Sequence, residues 1–366
     1  MDFALSPEQS LIKDSVARFA AEADDGADHW PTFAELGWLA IGAPEDLGGF
    51  GGPLETLLVA EQLGRGLVVA PFVSQVVFAG TILRAADRAD LLEPLTLGER
   101  RFAVAYEEPG ARYDPARVTT TARRDGDGFI VGGTKVRVLD AGTATTIVVS
   151  ARLGDDVALF AVPADAAGVT RTPYPAEDRH DVSTVRFEGV RLGGDAAIGD
   201  ATNGAPILAR GLDHTVAALC AEALGIMSAM LETTVEYTKQ RVQFNVPIGS
   251  FQALQHRMAE MFVECELARS AATRAAMILD GEPDAHERAQ AVSAAKVQIA
   301  RSGRFVGQNA IQLHGGIGMS EEARIGQYFK RLTVLERLLG DAAFHRERYA
   351  AAAAAERTPV GATAQR

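Results

Sequence analysis

The chain has 366 residues, with 36 lysines and arginines against 48 acidic side chains and a formal net charge of −12, a balance that disfavours a nucleic-acid or anionic-membrane partner. A hydrophobic share of 47% and a charged share of 23% are those of a folded chain, and the length points to two or three packed units rather than one. No run nears the ~18 uninterrupted apolar residues of a spanning helix, and Asp2 with no basic leader after it reads as the absence of a signal peptide, so a cytoplasmic location is expected.

Ser6-Pro7-Glu8-Gln9 starts a helix, with Ser6 as cap, Pro7 in the first turn and Gln9 completing a capping box. Helices continue to about residue 97, interrupted by a loop at Pro44 and the glycines 48, 49, 51 and 52, and resuming over Leu57 to Leu63. From Arg101 the texture turns to short β-prone runs: 102–106, 118–122, 129–131, 145–151, 157–162 and 183–187. Their spacing predicts a small β barrel or sandwich.

After Pro206 the helical period returns, with Leu224, Met227, Leu231 and Val235 on one face and Met258, Met261, Phe262 and Cys265 on another, both read as core packing. Ser250 is expected to open a long helix that Gly281 and Pro283 close, and Glu287 through Leu313 supplies another. The predicted architecture is mainly α with a central β domain. It runs as an N-terminal helical domain (1–98), the β domain (99–200), a C-terminal four-helix bundle (201–350) and a flexible tail (351–366). Cys220 and Cys265 lie in apolar helical patterns and read as buried thiols, and the seven histidines form no HxxxH pair, so no metal site is expected.

Gln312-Leu313-His314-Gly315-Gly316-Ile317-Gly318 combines an amide side chain with bare backbone N–H groups, which suits a phosphate-bearing ligand. Other segments stand in a telling order before it. They are Phe3 to Gln9, Leu36-Gly37-Trp38 with Pro44 to Gly49, Ala105 to Ala111, and Arg241-Val242-Gln243-Phe244-Asn245-Val246-Pro247-Ile248 through Gln252. Together they resemble the acyl-CoA dehydrogenase family over nearly the whole chain, the third matching its TEPGAGSD loop and the last its RxxFGxxxxxxQ.

The resemblance implies FAD as cofactor, an acyl-CoA substrate, an electron-transfer acceptor and α,β-desaturation: a carboxylate takes the α proton while the flavin takes the β hydride. It implies that Arg241, Phe244, Ile248 and Gln252, with Gln312, Gly315 and Gly316, hold the adenosine diphosphate tail, in part across a subunit boundary. Asn245 stands where the family has glycine, so a non-glycine residue there must tolerate an unusual backbone angle.

Other positions depart further. The family's ring-flanking tryptophan-x-threonine falls on Arg137-Val138-Leu139, and Arg112-Tyr113 replaces a Gly-Ser pair. The two places where family members carry the glutamate base fall on Gly340 and Thr215, leaving Asp341 and Asp213 nearby as candidates for a relocated base. Glu321 and Glu322 read as solvated charges. With tail residues present and ring and base residues missing, the expectation is a non-catalytic subunit of a heteromeric enzyme. The pattern resembles the heterotetrameric acyl-CoA dehydrogenases that degrade steroid side chains in actinobacteria, which implies a related partner subunit and a bulky acyl-CoA. A self-sufficient homomer using Asp341 or Asp213, and a scaffold without cofactor, are the alternatives.

Overall fold

The computed structural model describes residues 5–24, 26–320 and 323–357. The chain divides into two compact units, one of residues up to Ala60 with Val68–Ala218, the other of Glu61–Leu67 with residues from Leu219 on. Glu321, Glu322 and the tail beyond residue 357 lie outside the described residues.

The first unit opens with α1 (Pro7–Glu22), whose Ser6–Gln9 capping box forms as the sequence indicates, then α2 (Trp30–Glu35) and α3 (Pro53–Arg65). A π-helical stretch, Phe72–Ala79, runs into α4 (Gly80–Ala85), and α5 (Ala89–Thr96) follows. Seven strands form one sheet: β1 (Phe102–Ala105), β2 (Thr121–Asp125), β3 (Gly128–Leu139), β4 (Thr146–Leu153), β5 (Asp156–Pro163), β6 (Val169–Pro175) and β7 (Asp181–Leu192), in the order β1-β4-β2-β3-β7-β6 with β5 also on β4. Alternate residues such as Ile147, Val149, Phe160, Val162, Val185 and Phe187 fill one apolar core, the period-2 pattern of a curled sheet. β1, wholly apolar, and the first six residues of β4, Thr146 and Ser150 among them, are buried on both faces.

The helical segment and the sheet pack together within the first compact unit. Phe78 meets Tyr106 edge-on at 5.9 Å, the Ser74 hydroxyl donates to Asp140, and Gln75 Nε2 donates to Thr143 Oγ1 at 3.3 Å. β3 is far longer than the predicted 129–131, because bulges at 131–133 and 135–138 carry it past Gly132, Gly133 and Lys135. β6, with two prolines and mostly polar residues, was not foreseen; it pairs only with β7, the edge position where proline is tolerated.

Helix α6 (Gly204–Gln240) gives its first part to the first unit and the rest to the second. It is long and apolar enough to cross a bilayer, yet 94% of its most apolar window is buried within the fold. In the second unit α8 (Ala285–His314) packs on α7 (Gln252–Asp280), α9 (Arg324–Arg337) and α10 (Ala342–Arg357). The end of α3 joins them by close backbone approach to α6: a Cβ on Gly64 would lie 2.2 Å from Glu222 O, and one on Gly225 1.8 Å from Glu61 O.

Three sequence expectations are corrected here. Ser250 does not open α7; its hydroxyl bonds Pro247 O at 2.7 Å within the 3₁₀ turn Ile248–Ser250, and the helix begins at Gln252. Phe262 is 56% exposed while Met261 and Cys265 are buried, because one residue on a helix turns the side chain by ~100°. Residues 351–357 are not a tail but the last turns of α10.

Candidate functional site

Helix α6 ends where Arg241 N donates to Tyr237 O at 2.9 Å. The chain then makes a hairpin of β8 (Val242–Gln243) and β9 (Val246–Pro247), with Gln243 opposite Val246 and only Phe244 and Asn245 between. Both have positive φ, 53° and 63°, the type I′ geometry whose twist matches a two-residue hairpin, so Asn245 does adopt the angle its position demands. Phe244 stands 86% exposed at the tip, with Phe251 edge-on to it at 6.1 Å. Ile248 N donates to Arg241 O at 2.8 Å and closes the loop, setting Gln252 as the first residue of α7.

The Gln312 half meets this one through Tyr237. Its ring stacks on His314 with centroids 4.4 Å apart and planes 21° apart, and its hydroxyl donates to His314 O at 3.4 Å. Arg241 is one turn beyond Tyr237, and Gln312 two residues before His314. Gly315 has φ +62°, and a Cβ on Gly315 or Gly316 would meet no protein atom within 4 Å. The glycines therefore leave backbone open to an approaching ligand, and the Arg241, Gln252 and Gln312 side chains are exposed. In chemistry these residues fit a pyrophosphate-bearing tail: a guanidinium fork, amides and bare N–H groups, on segments linked by the Tyr237–His314 stack.

The base positions offer no carboxylate. Gly340 has φ +120°, and a Cβ there would lie 2.6 Å from both His345 Nε2 and Phe344 Cδ1. Lys296, fully buried, donates to Leu335 O and to Leu338 O at 2.8 Å, capping the end of α9. His345 links Ser293 Oγ and Leu339 O, each at 3.2 Å. Burial, then the nearby Lys296 charge, pushes the His345 imidazole down to about 3. The ring is therefore neutral, and its contact with Leu339 O assigns the proton to Nε2. Beside them Arg331 Nε meets Glu222 Oε1 at 2.6 Å, a buried pair.

Asp341 Oδ1 accepts from Ala343 N at 2.9 Å and Phe344 N at 3.0 Å, so this carboxylate caps α10. Thr215 donates to Gly211 O at 2.7 Å inside α6, and Asp213 is buried at 1% exposure. Sequence reading missed Lys296 and His345. The visible signal was a lysine interrupting the apolar face of Ala294-Ala295-Lys296-Val297.

At the positions expected to face a flavin ring stand two acid–base pairs. Glu108 accepts from Lys135 Nζ at 2.7 Å, Thr119 N at 2.6 Å and Thr120 N at 2.9 Å, and Lys135 also donates to Ser150 Oγ at 3.0 Å. Burial alone would raise the Glu108 carboxyl, but these bonds outweigh it and hold it at about 2. Its neighbour Glu107 takes a forked pair from Arg137, whose Nε lies 2.8 Å from Oε2. Arg137 sits in the second bulge of β3 with φ +52°. These side chains do not fit the ring: an ion pair stands where an indole and a hydroxyl are expected.

Models of the acyl-CoA dehydrogenase N-terminal, middle and C-terminal domains match residues 6–91, 103–190 and 202–354. The probable acyl-CoA dehydrogenase YngJ of Bacillus subtilis is 31% identical over 92% of this chain and 95% of its own length. The ChsE4-ChsE5 complex from Mycobacterium tuberculosis is similar at a TM-score of 0.86 and 25% identity, covering 98% of this chain and 100% of the matched one. A variant of the steroid ACAD Tcur3481-Tcur3483 is similar at 0.84 and 29%, covering 95% and 98%. With all three domains matched in order, this chain belongs to the acyl-CoA dehydrogenase family, whose cofactor is FAD.

Proposed function

We propose that this chain is the non-catalytic subunit of a heteromeric, FAD-dependent acyl-CoA dehydrogenase. It grips the adenosine diphosphate tail of a flavin whose ring, base and thioester belong to a related partner subunit. The observation that carries this reading is Gly340: at the place of the family's base the backbone has φ +120° and no room for a Cβ, so no side chain stands there to accept a proton. Thr215, at the other base place, is bonded within its own helix. FAD supplies the hydride acceptor when bound; this chain's part is to bind and orient it through Arg241, Gln252, Gln312 and the Gly315-Gly316 backbone.

Two similar solved structures support the heteromeric form, the ChsE4-ChsE5 complex and the paired Tcur3481-Tcur3483 steroid ACAD. The latter favours a bulky, sterol-like acyl-CoA as substrate. The test is flavin counted per chain after co-expression with a related subunit. One FAD per unlike pair is expected, with a colourless chain when it is expressed alone. A pure preparation of this chain that holds a full complement of FAD and desaturates a thioester would overturn the proposal.

A further inference from the structure

We propose that the Glu107–Arg137 ion pair closes the seat that a flavin ring would otherwise take in this chain. The inference deepens the reading above and rests on it for the identity of the seat. Glu107 and Glu108 are successive residues after β1, and they reach two bases of β3, Arg137 and Lys135, on either side of a residue whose N–H is also held there: Val136 N donates to Glu107 O at 2.8 Å. The segment is thus fastened to β3 by backbone and by two ionic contacts.

The two pairs differ. The Lys135 and Glu108 side chains are 0% and 1% exposed and belong to the core. Arg137 is half exposed while Glu107 is nearly buried, so the second pair lies at a surface that something can approach. Its geometry is imposed by the backbone. The bulge at 135–138 takes Arg137 out of the ladder, and a left-handed φ of +52°, unfavourable for an arginine, aims its guanidinium at Glu107. Strain held by surrounding structure, with a forked charge-assisted pair at its end, makes a fixed obstacle rather than a loose side chain.

A flavin ring is a flat, largely apolar tricycle that needs an apolar face and neutral donors. Laying it over this pair would strip the remaining water from Arg137 and set the Glu107 carboxylate against a ring that becomes more negative on reduction. Arg137 stands where the family places its ring-flanking tryptophan, and Glu107 where the TEPGAGSD motif places its leading threonine, so both replacements fall at one seat and bind each other.

Riboflavin, which has the ring but neither phosphate nor adenosine, probes this seat without the tail site. The full-length chain is titrated with it and quenching of flavin fluorescence is followed. Wild type is expected to show no saturable quenching; stoichiometric uptake at micromolar concentration overturns the proposal. Arg137→Ala, and Glu107→Thr combined with Arg137→Trp, are expected to bind riboflavin at least about tenfold more tightly. If circular dichroism shows both variants folded and neither gains affinity, the proposal is overturned; if neither variant folds, the wild-type titration decides. Failure of the functional reading is seen separately, as FAD that does not bind even with a partner subunit present, and that leaves the riboflavin result standing.

Discussion

Restoring a glutamate at position 340 should not create a base; it should unfold the neighbourhood. The backbone at Gly340 has φ +120°, a region that strains any L side chain by roughly 1–3 kcal/mol. A Cβ would stand 2.6 Å from His345 Nε2, so the imidazole must leave its bonds to Ser293 Oγ and Leu339 O, worth roughly 0.5–1.5 kcal/mol each. Together these give Gly340→Glu a loss of about 2–6 kcal/mol, large against the roughly 5–15 kcal/mol that holds a typical domain. Since the clash is at Cβ, Gly340→Ala should lose nearly as much. The assay is urea unfolding of both variants, with thioester desaturation followed by a dye acceptor. A Gly340→Glu protein of wild-type stability, or one that gains turnover, refutes the reasoning.

Arg241→Ala in the co-expressed complex should strip most of the flavin, read as the ratio of flavin to protein absorbance, with the assembly otherwise intact. Asp341→Asn should leave turnover of that complex unchanged, because its carboxylate caps α10 and amide oxygen serves as well; a large rate loss with flavin retained would restore Asp341 as a base. Stability should fall as pH drops below about 6.5. The native His345 holds off its proton until about 3 while the unfolded ring takes one up, and Glu108, held at about 2 against an ordinary 4.5, adds a loss of the same sign below pH 4.5. Melting temperature against pH should show this slope, flattened between pH 6.5 and 4.5 in His345→Asn; an unchanged slope in that variant removes His345 as the cause.

Local rules wrote much of this into the chain. The Ser6–Gln9 capping box, the apolar runs of β1 and β4 and the helices around Met227 and Met261 each follow from side-chain chemistry within a few residues. The residues proposed to hold the tail stand in the chain as two separate motifs, and only tertiary structure shows Tyr237, one turn before Arg241, stacked on His314, two residues after Gln312. What stayed hidden depends on long-range pairing. β3 runs through glycines because β7 supplies its ladder, and Lys296 serves carbonyls some forty residues away. Arg137 read in the chain only as a lost tryptophan, and its pairing with Glu107 depends on the contact between their side chains.

The hairpin tip carries a last consequence. An aromatic in a left-handed backbone, almost wholly in water, is a poor choice for the folded monomer, and glycine at that apex would relax the turn by about 1 kcal/mol. A substitution that makes the lone polypeptide sturdier would at the same time blunt the knob it offers to whatever it grips. Selection for robustness and selection for grip therefore pull this one position in opposite directions.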